Sequence, residues 1–106
     1  MKEIRFLGSS RQELLLFPAT ARSRAGYELY LVQLGEEPSD FKPLPIIGPG
    51  ACEIRIRDHA GAFRLLYVAK FGSNVYVLHA FQEKTQKTTQ QALRAAAQRY
   101  GLIEDK

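Results

Sequence analysis

The sequence predicts an α+β domain in which helices pack on one twisted, antiparallel-rich sheet in the order β-α-α-β-β-β-α. Three observations carry the prediction. Residues 53–81 hold three short β-type runs separated by tight turns. A helical hairpin with start and stop residues precedes them, and residues 89–101 place apolar side chains at helical spacing. With 106 residues, the chain makes one domain, residues 1–106.

In chain order, Lys2 to Leu7 reads as a strand closed by Gly8. Ser10 followed by Glu13 predicts a capping box at the start of a first helix. Pro18 favours a helix start, so a second helix is expected from Pro18 to Leu34. Its apolar stripe reads Tyr27, Tyr30, Leu31 and Leu34, with Gly35 as the C-terminal stop. These tyrosines are expected in the core. From Glu36 to Gly50, six positions held by Pro38, Pro43, Pro45, Gly48, Pro49 and Gly50 exclude regular structure over most of the stretch. Phe41, Leu44, Ile46 and Ile47 are expected to pin this connector to the core.

In 53–57, Ile54 and Ile56 face one way, and Arg55 and Arg57 the other. Asp58 to Gly61 is a turn. The run from Ala62 to Lys70 is apolar on both faces, which predicts a central strand, and Arg64 on it must lie near the sheet's end or be paired. Gly72-Ser73-Asn74 turns the chain into a third run, Val75 to Phe81, with Val77, His79 and Phe81 on one side. After a lysine-bearing loop, Thr88 or Thr89 caps a last helix. That helix is expected to turn Leu93, Ala96, Ala97 and Tyr100 inward and Arg94 and Arg99 outward.

The formal net charge is +4, and its distribution is uneven. Residues 1–50 carry six Lys/Arg and six Asp/Glu, whereas 51–106 carry nine and five. Such asymmetry suits either a polyanion partner, nucleic acid first, or a plain solvated basic face. Nearly half the residues are apolar, enough for a core. No apolar run approaches the ~20 residues of a membrane span, and the N-terminal residues lack the apolar stretch of a signal peptide. The lone Cys52 has no internal partner and reads as a small buried apolar residue. A reducing, cytoplasmic setting is the expectation.

HExxH, GxSxG, a phosphate-binding glycine loop and a Cys/His cluster are all missing from the sequence. His59 and His79 lack metal spacing; His59 reads as a solvated turn residue, and His79 as a hydrogen-bonded core or rim histidine. What stands out is a set of cations, Arg55, Arg57, Arg64, Lys84 and Lys87, on consecutive runs and the loop after them. Arginine's planar fork matches phosphate oxygens, and fixed cations lower the barrier to a pentacovalent phosphorane. RNA supplies its own nucleophile in the 2′-hydroxyl, so a protein would need only to orient the chain, stabilise charge and move two protons. A lysine among crowded cations is a candidate for proton transfer.

The combined order of several short motifs resembles the phage-derived, HigB-like branch of the RelE toxin superfamily. Those motifs are Gly35-Glu36-Glu37-Pro38-Ser39-Asp40, Lys42-Pro43-Leu44, Gly48-Pro49-Gly50, Glu53-Ile54-Arg55-Ile56-Arg57, Gly61-Ala62-Phe63-Arg64, Tyr67-Val68-Ala69, and Val77-Leu78-His79-Ala80-Phe81 with Lys84-Thr85-Gln86-Lys87-Thr88. The likeness implies a RelE-like fold and the toxin of a type II toxin–antitoxin pair. It further implies an endoribonuclease that cuts mRNA on the ribosome and releases a 2′,3′-cyclic phosphate, with no cofactor and no metal. The implied partner is an antitoxin, of the XRE helix-turn-helix type (HigA-like), that blocks the cationic surface. By position, catalysis falls on Arg55, Arg64 and Lys84, with Arg57 and Lys87 binding substrate. Glu83 stands where the family has a lysine, Thr89 where it has a proline, and Gln90 or Gln91 where some relatives have a tyrosine. These departures leave the general acid and base unassigned, and leave open a non-catalytic module that binds nucleic acid or antitoxin.

Overall fold

The computed structural model describes residues 1–84 and 88–106. The chain runs β1 (Glu3–Phe6), α1 (Ser10–Leu15), α2 (Ala19–Gln33), β2 (Phe41–Pro43), β3 (Ala51–Asp58), β4 (Gly61–Val68), β5 (Asn74–Glu83) and α3 (Gln90–Tyr100). One five-stranded sheet has the order β1-β5-β4-β3-β2. The expected α+β class is present, with one strand more than expected. β2 arises inside the proline-rich connector, where Phe41, Lys42 and Pro43 pair antiparallel with Ile54, Glu53 and Cys52. A short edge strand tolerates proline because its outward N–H is not needed. β1 occupies the other edge and is parallel to β5. β4 is central, as its two apolar faces require.

Each face of the sheet carries a core. On one face α2 covers Ile54, Ile56, Phe63, Leu65, Tyr67, Val75, Val77 and Ala80. On the other, α3 covers Leu66, Val68, Tyr76 and Leu78. α2 does not turn the expected stripe inward. Tyr27, Tyr30 and Leu34 are exposed, while Ala21, Ala25, Glu28, Leu29 and Val32 are buried. The two alanines, fully buried, let the helix approach the sheet near the tilted Phe17–Phe63 ring pair, where a tyrosine would not fit. Gly35 ends the helix as expected, with φ +83°; its N–H donates to Val32 O and that of Glu36 to Leu31 O.

The capping box does not form. α1 begins at Ser10 with no side-chain cap, Ser10 is buried, and Glu13 reaches across to β5. In α3, Thr89 Oγ1 accepts from Ala92 N, the expected cap. Ala92, Ala96 and Tyr100 are the buried residues, Ala97 is exposed, and Arg99 turns inward, against expectation. Arg99 is recruited because β5 outruns β1. The β1 pairing stops at Val77, and beyond it Leu78 O accepts from Arg99 Nη1 and Ala80 N donates to Glu13. Two side chains thus cap the bare edge of β5.

The connector is fastened by a buried carboxylate. Glu28, 1% exposed, accepts from Ser39 N at 2.6 Å and Ser39 Oγ at 2.9 Å, and pairs with Arg24 at 2.8 Å. Burial works to raise the Glu28 carboxyl, but these donors outweigh it and hold the group below its usual range. Glu28→Ala is therefore expected to cost about 2–3 kcal/mol in urea unfolding at neutral pH. Because the folded value is depressed, the difference should be full above the unfolded value of 4.5 and shrink as pH falls through the lower folded value.

Candidate active site

The site lies where α3 leaves the sheet uncovered. On the α3 side, the alternation of β3 presents Glu53, Arg55 and Arg57, and β4 presents Arg64 directly opposite Arg55. β5 would show the wrong residues here but for a bulge. Leu66 pairs with His79 and Tyr67 with Val77, which leaves Leu78 as the extra residue. Before the bulge, Tyr76 and Leu78 face α3; after it, Phe81 does, and Ala80 joins the opposite core. His79 and Phe81 share a side, as expected, but Val77 lies on the other. The same shift puts Glu83 beside the arginines, opposite Ala62.

Arg64 is the hub, at 2% exposure. Its Nη1 donates to the Glu53 carboxylate at 3.2 Å and to Thr88 Oγ1 at 2.5 Å. Its Nη2 donates to Glu83 Oε1 at 2.7 Å. Glu53 is fully buried and also takes Arg55 Nε at 3.0 Å and Lys42 at 3.7 Å. Thr88 Oγ1 donates to Glu53 Oε2 at 3.1 Å and so links the end of the lysine loop to the network. Burial alone would weaken the Arg64 charge, yet the two carboxylates more than offset it and raise its pKa. The hydrogen bond from Arg64 holds the Glu83 carboxyl below its usual range, against burial, and Arg57 and Arg55 add to the pull. Glu83 is therefore ionised at neutral pH.

Arg55, Arg57, Arg64 and Glu83, with Ile56 and Ala62, line a cleft of about 160 Å³. Three of the sequence-predicted cations thus meet in one place. Lys84 lines a neighbouring cleft of about 490 Å³ with Glu13, His79, Phe81, Gln91 and Arg99. Lys87 lies outside the described residues. His79 is a rim residue, its Nδ1 2.8 Å from Glu13 Oε1. Sequence reasoning missed Glu53 as the common partner of Arg55 and Arg64. Its parity placed it on the arginine face, and that was the available signal. Cys52 is half-buried, and burial raises its thiol pKa. Among the described residues no cluster of His, Cys, Asp and Glu is disposed to hold a metal, and no helix is long and apolar enough to cross a membrane.

The profile of the phage-derived Gp49-like proteins (DUF891) matches residues 12–101. The chain belongs to the Gp49-like family. No curated protein matches it. Among solved structures it is similar to the free state of the E. coli toxin RelE, carrying two arginine-to-alanine changes. That similarity has a TM-score of 0.64 and 13% identity, and covers 97% of this chain and 98% of that one. At that identity the shared property is the RelE fold, a twisted five-stranded sheet with three helices. The Gp49-like chain keeps this fold while burying its own carboxylate–arginine network in the sheet.

Removing Arg64 leaves Glu53 buried with one partner fewer, so Arg64→Ala is expected to cost about 3 kcal/mol. Arg64→Lys keeps a charge against Glu53 but loses the fork. Adding Glu53→Gln to Arg64→Ala should recover part of the loss, because the orphaned charge is gone. Urea midpoints of the three variants check both statements.

Proposed function

We propose that this Gp49-like protein is the toxin of a type II toxin–antitoxin pair, in the HigB-like branch of the RelE superfamily, and that it cleaves mRNA on the ribosome. The observation that carries the reading is the cleft in which Arg55, Arg57 and Arg64 converge on one end of the sheet. The RelE fold and the phage-derived family support it. The alternative, a module that binds nucleic acid or antitoxin without cutting, draws support from Glu53 and Glu83, which already engage the Arg64 guanidinium.

On the enzymatic reading, a backbone phosphate enters the cleft against Arg55 and Arg57. The ribose 2′-hydroxyl attacks the adjacent phosphorus and expels the 5′-oxygen, leaving a 2′,3′-cyclic phosphate. Arg64, pre-positioned by Glu53, meets the extra negative charge of the phosphorane without having to reorganise. Lys84, one residue past the strand, donates the proton that the leaving oxygen takes up. Glu83 is the carboxylate that lines this cleft and would take the proton of the attacking hydroxyl; held ionised, it is a weak base and also competes with phosphate for Arg64. Lys87 adds a backbone contact. The cationic end face is also the surface an acidic segment of an XRE-type antitoxin would cover. The reaction so described uses no metal and takes place in the cytoplasm.

Induction in bacteria should arrest growth, and the 5′ ends of cellular mRNA should shift within minutes. Purified protein should leave 2′,3′-cyclic phosphate ends on ribosome-bound message. Lys84→Ala should lose at least 100-fold in cleavage with an unchanged urea midpoint, and Arg57→Ala should lose less. Harmless induction with salt-sensitive RNA binding would favour the non-cutting module instead. Glu83→Gln removes the competing charge while keeping a hydrogen-bonding amide. It should tighten RNA binding about tenfold, or ~1.4 kcal/mol; weaker binding would show that Glu83 positions Arg64 rather than competing for it.

A further inference from the structure

The cleft between β5 and α3 has a different chemistry from the arginine cleft beside it. We infer that it receives an RNA base next to the scissile phosphate, held by the His79 imidazole and the Phe81 ring; the inference rests on the ribonuclease reading.

Charge is the first ground. Arg99 is consumed by Glu13, at 2.8 and 3.0 Å, and by Leu78 O at 2.9 Å. Glu13 is consumed in turn by Arg99, His79 and Ala80 N, and these donors keep its carboxyl below the usual range although burial opposes them. The interior is thus close to neutral. Lys84, exposed at the mouth, has no ion pair with a described residue. A neutral interior with one cation at the rim suits a base carrying its phosphate, not a phosphate alone.

Geometry is the second ground. A carboxylate only accepts, so the 2.8 Å contact with Glu13 places a proton on His79 Nδ1. Arg99 Nη1 lies 3.3 Å from the same nitrogen, and Nε2 has no partner among the described residues, so it remains available to a base edge. The rings of His79 and Phe81 lie 5.1 Å apart at 25°, an offset stack in which each ring holds the other's orientation, and both line the cleft. Gln91 on the first turn of α3 supplies a neutral amide opposite. Aromatic rings stabilise a base by about 1–3 kcal/mol, whichever base it is.

Position is the third ground. Phe81 pairs across the ladder with Arg64, and His79 follows two residues on, opposite Leu66. Two residues along a strand advance ~6.8 Å, on the order of one nucleotide. A chain with its phosphate at Arg64 therefore brings a neighbouring base to His79.

The test titrates the isotopically labelled full-length protein with the four nucleoside 5′-monophosphates, and with ribose 5-phosphate as the base-free probe. None of these can be cleaved by 2′-hydroxyl attack. The monophosphates should shift the His79 ring and Gln91 side-chain amide resonances at millimolar concentration, and ribose 5-phosphate should not. Phe81→Leu, which keeps the apolar contact with the α3 core, should weaken monophosphate binding about tenfold. His79→Ala should flatten any preference among the four. Equal shifts and affinity for ribose 5-phosphate would make the cleft a phosphate site and overturn the inference, as would no shift at His79. Base-dependent shifts in a protein that cuts no RNA would retain the subsite and sink the ribonuclease reading; cleavage without base-dependent shifts would sink the subsite alone.

Discussion

The structure depends on a carboxylate and a guanidinium that share the middle of a sheet. Glu53 and Arg64 are, respectively, fully buried and 2% exposed, on adjacent central strands. Neither tolerates that environment alone, since an isolated buried charge costs several kcal/mol. Together, and with Arg55, Lys42, Glu83 and Thr88 drawn in, they form a connected network that leans toward positive charge. The network replaces apolar packing at one end of the α3 face, so the two cores meet a polar margin there.

The same arrangement makes the end of the sheet suited to anions. Arg64 is held in place before any ligand arrives, and the ordering entropy of a long side chain is settled in folding rather than in binding. Arg55 and Arg57, less buried, complete the cationic surface. The counterweight is Glu83, which sits on Arg64 through its shortest carboxylate contact. The site is thus tuned between attracting phosphate and neutralising itself, and its chemistry turns on which anion Arg64 prefers.

A second constraint comes from unequal strands. β5 continues past the end of β1, and its exposed backbone is satisfied by Glu13 from α1 and Arg99 from α3. Meeting that need draws α1, β5 and α3 together and fixes His79 by one ring nitrogen. The cleft beside the arginines is therefore a by-product of edge protection, with a rigid wall and an ordered imidazole.

Sequence alone determined the kinds of element, their order apart from the short β2, and the face on which Arg55, Arg57 and Arg64 lie, because strand alternation and turn residues are local properties. It also required that Arg64 lie near the sheet's end or be paired, since it shares a face with Leu66 and Val68. Tertiary structure decided the rest. Which carboxylates serve as partners depended on the pairing of β3 with β4 and on the bulge opposite Leu66, which turned Glu83 rather than Lys84 toward the arginines. Which face of α2 is buried was decided by closeness to the sheet, where Ala21 and Ala25 fit and Tyr27 and Tyr30 do not. Glu13 and Arg99 read as a cap and a solvated cation because nothing local shows that β1 ends early; only the assembled sheet exposes the backbone groups they satisfy.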